Sequence, residues 1–255
     1  MSVLAPIVGH RGAAAHAPEN TLASIRMAAR QGARMVEFDA KLSSDGVAFI
    51  MHDDLLDRTT DGHGPAAATP WSELQKLDAG SWFGKTFAGE PLPRLDQTLA
   101  LILELGLEAN LEIKPCPGRG PETGRAVMEV VRRCWPARRG GLVISSFARD
   151  GLAAARDAAP EYPRGLLIFD KPADWSAAAA TLGCHSVHCA HQTLTPEWAA
   201  EIKRLGYDLA VYTVNDADLA RRLQGWGADS IINDRPGALH ETLAGGREAP
   251  GRETH

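Results

Sequence analysis

Short apolar runs alternate with helical segments along almost the whole chain, and this alternation limits the fold more than any other feature. A strand followed by a helix and a second strand is the pattern of a βαβ unit, whose strands are parallel. Eight runs in this series are predicted to be strands, at residues 7–10, 35–42, 107–114, 142–146, 165–169, 186–189, 209–214 and 230–233. Eight parallel strands with intervening helices predict an α/β fold, the (β/α)8 TIM barrel, and a chain of 255 residues suits one such barrel.

A local departure from this pattern follows the second predicted strand. Residues 43–46, Ser-Ser-Asp-Gly, are too few for a crossover helix, so residues 47–52 should return antiparallel as a β-hairpin. If the turn centres on its last two residues, the numbers of paired residues sum to 91 and Asp39 lies opposite His52. A shift of one residue would change the pairing but would still leave His52 beside Glu37 and Asp39.

Residues 54–94 are predicted to be an insertion within a single barrel domain that spans residues 1–255. The segment interrupts the strand and helix series and is rich in proline and glycine. An irregular segment of this length is usually functional, so we expect it to form a cap over the barrel mouth. Its aromatic residues Trp71, Trp82 and Phe83 are expected to form the core of this cap.

Charge and hydropathy exclude several classes of protein. The net charge of -5 lacks the basic footprint of a nucleic-acid-binding protein. No segment approaches the roughly 20 apolar residues that span a bilayer, so no stable membrane insertion is expected. The N-terminus has no basic stretch followed by an apolar one, which a secretory signal would need. The four cysteines form no metal-binding spacing and are expected to be reduced thiols, as in a cytoplasmic protein.

Acidic residues stand at the ends of two predicted strands, where TIM barrels carry their chemistry. Glu37 and Asp39 are two positions apart on one strand, and so are Glu112 and Lys114 on the next. Residues at i and i+2 of a strand point to the same side, so each pair should enter the barrel together. Carboxylates inside a barrel must be paired or bound to a metal. Glu37, Asp39 and Glu112 are therefore predicted ligands of one hard divalent cation, Mg²⁺ or Ca²⁺.

Basic residues and histidines complete this candidate site. Arg11 and Lys114 would supply positive charge to an anionic, phosphate-containing substrate. His10 and His52 stand at strand ends as candidate acid–base groups, and His188 is expected to face the barrel centre as a substrate-binding residue. Each motif alone has an ordinary structural explanation, such as an ion pair or a solvent-facing pair. Together they predict a metal-assisted phosphoryl-transfer site.

The ordered set of motifs resembles the glycerophosphodiester phosphodiesterase family, in particular its compact bacterial cytosolic members. The resemblance extends over nearly the whole chain and rests on His10-Arg11-Gly12, Glu19-Asn20-Thr21, Glu37-Phe38-Asp39, His52-Asp53, Leu111-Glu112-Ile113-Lys114, Ser146-Phe147, Tyr212-Thr213-Val214-Asn215 and the segment from Asp229 to Pro236. Two positions depart from the family pattern, which usually has Trp in place of Tyr212 and Thr in place of Asn233.

The resemblance implies a barrel of the phospholipase-C-like phosphodiesterase type and a role in glycerol and lipid metabolism. It implies hydrolysis of glycerophosphodiesters, such as glycerophosphocholine and glycerophosphoethanolamine, to an alcohol and sn-glycerol 3-phosphate. By motif, Glu37, Asp39 and Glu112 would bind the cation, and Arg11 and Lys114 would hold the phosphate. His10 and His52 would act as general acid and base, in an order that the sequence leaves open.

Several alternatives stay open at this level. A phosphodiesterase of the lysophospholipase D type would act on a lipid, and a catalytically silent barrel would serve as a binding module. Glu19 could be part of the site or only of a helix start. The oligomeric state is open between a monomer and a homodimer.

Overall fold

A nine-stranded sheet closes into a barrel in the computed structural model, which describes residues 2–245. Residues 1 and 246–255, which the predicted single domain also includes, lie outside the described range. The strands are Ile7–Gly9 (β1), Met35–Leu42 (β2), Ala48–Ile50 (β3), Glu108–Ile113 (β4), Leu142–Ser146 (β5), Arg164–Ile168 (β6), Ser186–Ala190 (β7), Asp208–Tyr212 (β8) and Ser230–Asn233 (β9). β1 pairs in parallel with both β9 and β2, which closes a ring of eight parallel strands, and β3 lies antiparallel to β2. The predicted TIM barrel is confirmed.

Helices connect the barrel strands and cover their outer face. They are Leu22–Arg30 (α1), Trp71–Leu74 (α2), Leu95–Glu104 (α3), Gly120–Cys134 (α4), Arg149–Ala158 (α5), Trp175–Thr181 (α6), Pro196–Arg204 (α7), Ala217–Gly225 (α8) and Pro236–Gly245 (α9). Side chains of Thr21, Thr195 and Asp216 accept hydrogen bonds from backbone N–H groups in the first turns of α1, α7 and α8. Among the described residues, no helix is both long and apolar enough to cross a bilayer.

The interior of the barrel is apolar at one end and polar at the other. Val8, Met35, Val143 and Ala210 form a small apolar cluster together with Leu4, which precedes β1. A separate and larger core lies between the strands and the helices. This apolar cluster fills the end of the barrel where the strands begin, and polar side chains gather at the end where the strands finish.

The hairpin exists, but its predicted register is wrong by one residue. The observed pairs are Ala40 with Ile50, Lys41 with Phe49 and Leu42 with Ala48, whose numbers sum to 90. The turn centres on Asp45, since the Ser43 N–H donates to the Val47 carbonyl. Gly46, with φ of +80°, supplies the left-handed residue that a turn of this kind needs.

The insertion at 54–94 packs against the hairpin. Leu56, Leu74 and Leu92 form an apolar cluster with Phe49 and Met51, which lie on the returning strand and just after it. Trp71 is partly buried against this cluster, with its ring centroid 6.0 Å from that of Phe49. Trp82 and Phe83 lie outside the cluster and Trp82 is 40% exposed, so the expectation that they form a cap core is wrong. No residue of 54–94, all of which the structure describes, lines the cavity at the barrel mouth. The insertion therefore packs on the hairpin and supplies none of the cavity's lining residues, and its role as a cap over the mouth stays a prediction.

Candidate active site

A cavity of about 310 Å³ opens at the end of the barrel where the strands finish. Its lining divides into two groups. One wall carries charged and polar side chains, namely His10, Arg11, Glu37, His52, Asn110, Glu112 and Lys114. The opposite wall carries Phe147, Leu167, Phe169, Gln192, Tyr212, Thr213 and Ile232.

Three buried carboxylates form the floor of the charged wall. Glu37 and Asp39 enter from β2, and Glu112 lies beside Asp39 on β4. One ligand oxygen from each residue lies within 4.8 Å of the others. Burial and the neighbouring carboxylates raise the pKa of Glu37 well above its ordinary value, and burial and Asp39 raise the pKa of Glu112 to about 7. A divalent cation bound by oxygen ligands would relieve this repulsion, so the three residues fit the predicted metal site.

Arg11 and Lys114 place positive charge against these carboxylates. Arg11 Nε lies 3.5 Å from Asp39 Oδ2, and Lys114 Nζ lies 2.9 Å from Glu112 Oε1 and 3.8 Å from Asp39 Oδ1. Burial alone would raise the pKa of Asp39, but the charges of Arg11 and Lys114 outweigh burial and hold it below its usual range. Asp39 is therefore the carboxylate that stays ionised, whereas the pKa values of Glu37 and Glu112 are raised.

A strained turn directs Arg11 into the site. Arg11 has φ of +49°, and its backbone N–H donates to Glu37 Oε2 at 2.9 Å. Gly12 follows with φ of +90°, and a Cβ there would lie 2.4 Å from Ser24 Oγ. Only glycine can occupy that position next to α1, which explains the glycine of the His-Arg-Gly sequence.

Both candidate acid–base histidines are held by an aspartate in the same way. His10 Nδ1 donates to Asp234 Oδ1 at 2.6 Å, and His52 Nδ1 donates to Asp53 Oδ1 at 2.7 Å. Because an ionised carboxylate only accepts hydrogen bonds, Nδ1 carries the proton and Nε2 is left for chemistry in the cavity. Burial lowers the pKa of His52, which favours a neutral imidazole able to accept a proton.

A family model described as the glycerophosphoryl diester phosphodiesterase family matches residues 10–238. The chain belongs to this family. A glycerophosphodiester phosphodiesterase of Caldanaerobacter subterraneus subsp. tengcongensis is 32% identical over 233 residues, covering 91% of this chain and 95% of that protein. The family assignment and this relative identify the chain as a phosphodiesterase.

Solved structures agree with this family assignment. An Oleispira antarctica phosphodiesterase in complex with the product sn-glycerol-3-phosphate superposes with a TM-score of 0.92 at 38% identity, covering 96% of this chain and 100% of that one. A glycerophosphodiester phosphodiesterase of Agrobacterium tumefaciens superposes with a TM-score of 0.79 at 32% identity, covering 93% of this chain and 100% of that one.

Three residues of this phosphodiesterase site were not among the sequence candidates for it. Asp53 and Asp234 hold the two histidines, and the Asn20 side chain holds Asp39 through Nδ2 and Oδ1 at 2.8 and 3.1 Å. All three residues stand within the motifs that carry the family resemblance, and that was the available signal; Asp53 also follows His52 directly. Asp234 stands 224 positions from its histidine, and only the closure of the barrel between β1 and β9 brings the two together.

Two predicted site residues, Asp39 and His188, do not line the cavity; Asp39 belongs to the carboxylate cluster at its floor, whereas His188 lies apart from that cluster. His188 is fully buried in the barrel below the cavity and shares a hydrogen bond with Ser186 through Nε2 at 2.9 Å. Burial lowers its pKa to about 3, so it stays neutral. The prediction that His188 faces the barrel interior agrees with the structure, whereas a substrate-binding role has no support from its position.

Proposed function

We propose that this phosphodiesterase hydrolyses glycerophosphodiesters, such as glycerophosphocholine and glycerophosphoethanolamine, to an alcohol and sn-glycerol 3-phosphate. The proposed cofactor is one divalent cation, Mg²⁺ or Ca²⁺, and the proposed acid–base pair is His10 and His52. The observation that carries the proposal is the placement of two aspartate-held histidines around a buried cluster of three carboxylates.

Glu37, Asp39 and Glu112 would hold the cation. When bound, it would supply positive charge that offsets the charge on the phosphoryl oxygens. Arg11 and Lys114 flank the same carboxylates and would bind the remaining phosphoryl oxygens, where fixed positive charge stabilises the transition state. The cluster is buried and its partners are in place, so little reorganisation is needed on substrate binding.

The two histidines would divide the proton transfers between them. One would accept a proton at Nε2 from the substrate's own glycerol hydroxyl as that oxygen bonds to phosphorus, and the other would donate a proton to the alkoxide that leaves when its bond to phosphorus breaks. Water would then open the resulting cyclic phosphate to give sn-glycerol 3-phosphate. General acid–base catalysis of this kind contributes about 10²–10⁴-fold to a rate. The pKa of His52, which burial lowers, supports the base role for His52.

The dimensions of the cavity favour a small, water-soluble diester. A volume of about 310 Å³ is at the low end for a ligand pocket and suits a glycerophosphoryl group with a short alcohol. The bound product of the Oleispira antarctica relative, sn-glycerol-3-phosphate, is of this size class.

Activity on a lipid, as in a lysophospholipase D, is a second candidate. Phe147 and Phe169 are 40% and 53% exposed at the cavity, which provides an apolar surface for an acyl chain that extends past the rim. A catalytically silent binding barrel is disfavoured because the whole set of acid–base and carboxylate groups is present. Turnover of lysophosphatidylcholine that exceeds that of glycerophosphocholine would make the lipid the principal substrate.

The direct test follows release of sn-glycerol 3-phosphate from glycerophosphocholine with a coupled dehydrogenase. We expect turnover that EDTA abolishes and that either Mg²⁺ or Ca²⁺ restores, and titration of each ion into stripped enzyme identifies the better cofactor. Turnover that survives EDTA would contradict metal dependence, and no release with any ion would contradict the activity itself. His63→Ala, a change at a histidine 84% exposed in the insertion, is the matched control for histidine substitutions.

Cytoplasmic location, the lack of a nucleic-acid partner, and the choice between monomer and homodimer stay predictions. Size-exclusion chromatography with light scattering measures the oligomeric state directly.

A further inference from the structure

We propose that Arg58, which belongs to the insertion at 54–94, is a positioning residue that joins the phosphate-binding arginine to the acid–base histidine His52. The proposal rests on the proposed function, because it assigns Arg58 a part in the same site. Arg58 does not line the cavity and would act through Glu19 and Asp53.

Arg58 forms two forked ion pairs at once. Its Nη1 and Nη2 donate to the two carboxylate oxygens of Glu19, each at 2.8 Å. Its Nε and Nη2 donate to the two oxygens of Asp53 at 2.6 and 2.9 Å. Two carboxylates from different segments are thus fixed by one planar guanidinium, a geometry that lysine cannot reproduce.

Each carboxylate in turn holds a residue of the site. Glu19 Oε1 accepts from Arg11 Nη1 at 2.5 Å, and Asp53 Oδ1 accepts from His52 Nδ1 at 2.7 Å. A continuous chain of charge-assisted hydrogen bonds therefore runs from Arg11 through Glu19, Arg58 and Asp53 to His52. The Arg58 hydrogen bond also holds the pKa of Asp53 below its usual range, so Asp53 remains an acceptor for His52.

The arrangement differs from an ordinary surface ion pair. Exposed pairs contribute little because solvent screens them and because two mobile side chains must be ordered. Arg58 is 46% exposed, but Glu19 is only 11% exposed and is already fixed by Arg11. Removing the guanidinium would leave a largely buried carboxylate with one partner and would free Asp53 to rotate away from His52.

The insertion contains a matched control. Arg94 forms a forked pair with Asp96 through Nε and Nη2 at 3.0 and 2.9 Å, and its side chain is 41% exposed. Asp96 touches no residue of the cavity lining in the described contacts, so Arg94→Met removes a similar ion pair without reaching the site.

The test compares Arg58→Met, Arg58→Lys and Arg94→Met with the unchanged enzyme. Steady-state kinetics on glycerophosphocholine gives kcat and KM, and calorimetry gives the affinity for sn-glycerol 3-phosphate. Arg58→Met should lower kcat/KM about 10–100-fold, the usual effect of losing a group that orients a site residue. Both kcat and product affinity should fall, because His52 and Arg11 are both released. Arg58→Lys should recover part of the loss, and Arg94→Met should match the unchanged enzyme.

A spectroscopic readout separates this proposal from the proposed function. The His52 Nδ1 proton, assigned in an NMR spectrum by its loss in His52→Ala, should be protected from exchange in the unchanged enzyme and in Arg94→Met. In Arg58→Met or Arg58→Lys it should broaden or disappear. If the unchanged enzyme were inactive but the Arg58 variants still lost the His52 Nδ1 resonance, the proposed function would be refuted and the positioning role of Arg58 would stand. An active enzyme whose Arg58 variants keep kcat, product affinity and the Nδ1 resonance would overturn the role of Arg58.

Discussion

The two walls of the cavity differ in how completely their side chains are partnered before substrate arrives. On the wall formed by β1, β2, β4 and the hairpin, every predicted catalytic or ligand side chain contacts a group of opposite or complementary charge. On the wall formed by β5, β6 and β8, Phe147 and Phe169 remain partly exposed. Under the proposed function, the first wall would carry the chemistry and the second would contact the substrate.

This difference has a physical origin. Electrostatic catalysis requires charges that are held in place before the reaction, and holding them requires hydrogen bonds from surrounding segments. On the charged side these hydrogen bonds come from four places, namely the loop after β1 through Asn20, the segment after the hairpin through Asp53, the insertion through Arg58 and the segment after β9 through Asp234. The rest of the barrel follows the regular strand and helix order, and its strand ends present mainly apolar side chains.

The largest expected effect comes from the histidines of the charged wall. His10→Ala and His52→Ala should each lower kcat by about 10²–10⁴-fold, because each removes one proton transfer. Circular dichroism should show an unchanged fold, and His63→Ala should keep full activity. If either variant kept a kcat close to that of His63→Ala, that histidine would not take part in the chemistry, and the charged wall would not differ from the apolar wall in this respect.

The aspartate behind His10 tests whether orientation is what distinguishes the charged wall. Asp234→Asn replaces an acceptor with an amide that can donate to Nδ1, which favours the wrong tautomer of His10. We expect kcat to fall about 10–100-fold with KM little changed. Asp218→Asn, at an exposed helix position, should have no effect on either constant. An equal KM increase in Asp234→Asn would indicate a role in substrate binding instead.

The apolar wall should affect binding more than chemistry. Phe147 packs edge-on against Tyr212 with ring centroids 6.0 Å apart, and Phe147→Ala removes this surface from the cavity. We expect KM to rise about tenfold while kcat stays near that of the unchanged enzyme, in line with the loss of buried apolar area. Leu205→Ala, an exposed apolar residue outside the cavity, is the control. A larger fall in kcat than in affinity would place chemistry on this wall too.

The carboxylate cluster should make stability depend on pH in the metal-free enzyme. Glu112 has a pKa raised from 4.5 to about 7 in the folded state by burial and by Asp39. Between these values the folded state binds more protons than the unfolded state, so this group reduces stability as pH rises. The Tm of Glu112→Gln minus that of the unchanged enzyme should therefore increase from pH 5 to pH 7.5 in EDTA. With saturating Mg²⁺ or Ca²⁺ the unchanged enzyme should have the higher Tm, since only the complete cluster binds the ion tightly. A constant Tm difference would exclude a raised pKa.

The smallest effect on catalysis is expected at His188. His188→Gln keeps a polar group beside Ser186 but lies below the cavity, so kcat and KM should stay near those of the unchanged enzyme while Tm falls. A selective rise in KM would restore the substrate-binding role that its position does not support.

Much of this site could be predicted because its residues stand at regular places in a regular fold. The pairs Glu37 with Asp39 and Glu112 with Lys114 obey the two-residue period of a strand, so their common orientation follows from local geometry. The hairpin was predictable from the short turn, but its register was not, because the choice between pairs summing to 90 or 91 depends on which residue takes the left-handed conformation.

The sequence by itself determined the barrel and its strand order. It also determined the set of three carboxylates, two histidines and two basic side chains, those of Arg11 and Lys114, at the strand ends. Tertiary structure alone decided which side chains hold them. Asp234 reaches His10 only because the last strand pairs with the first, and Arg58 reaches Glu19, 39 positions away, only through the folding of the insertion onto the hairpin. His188 has the same strand alternation as the true lining residues, yet it lies one layer too deep. Periodicity specifies the direction of a side chain, and only packing specifies its depth and its partners.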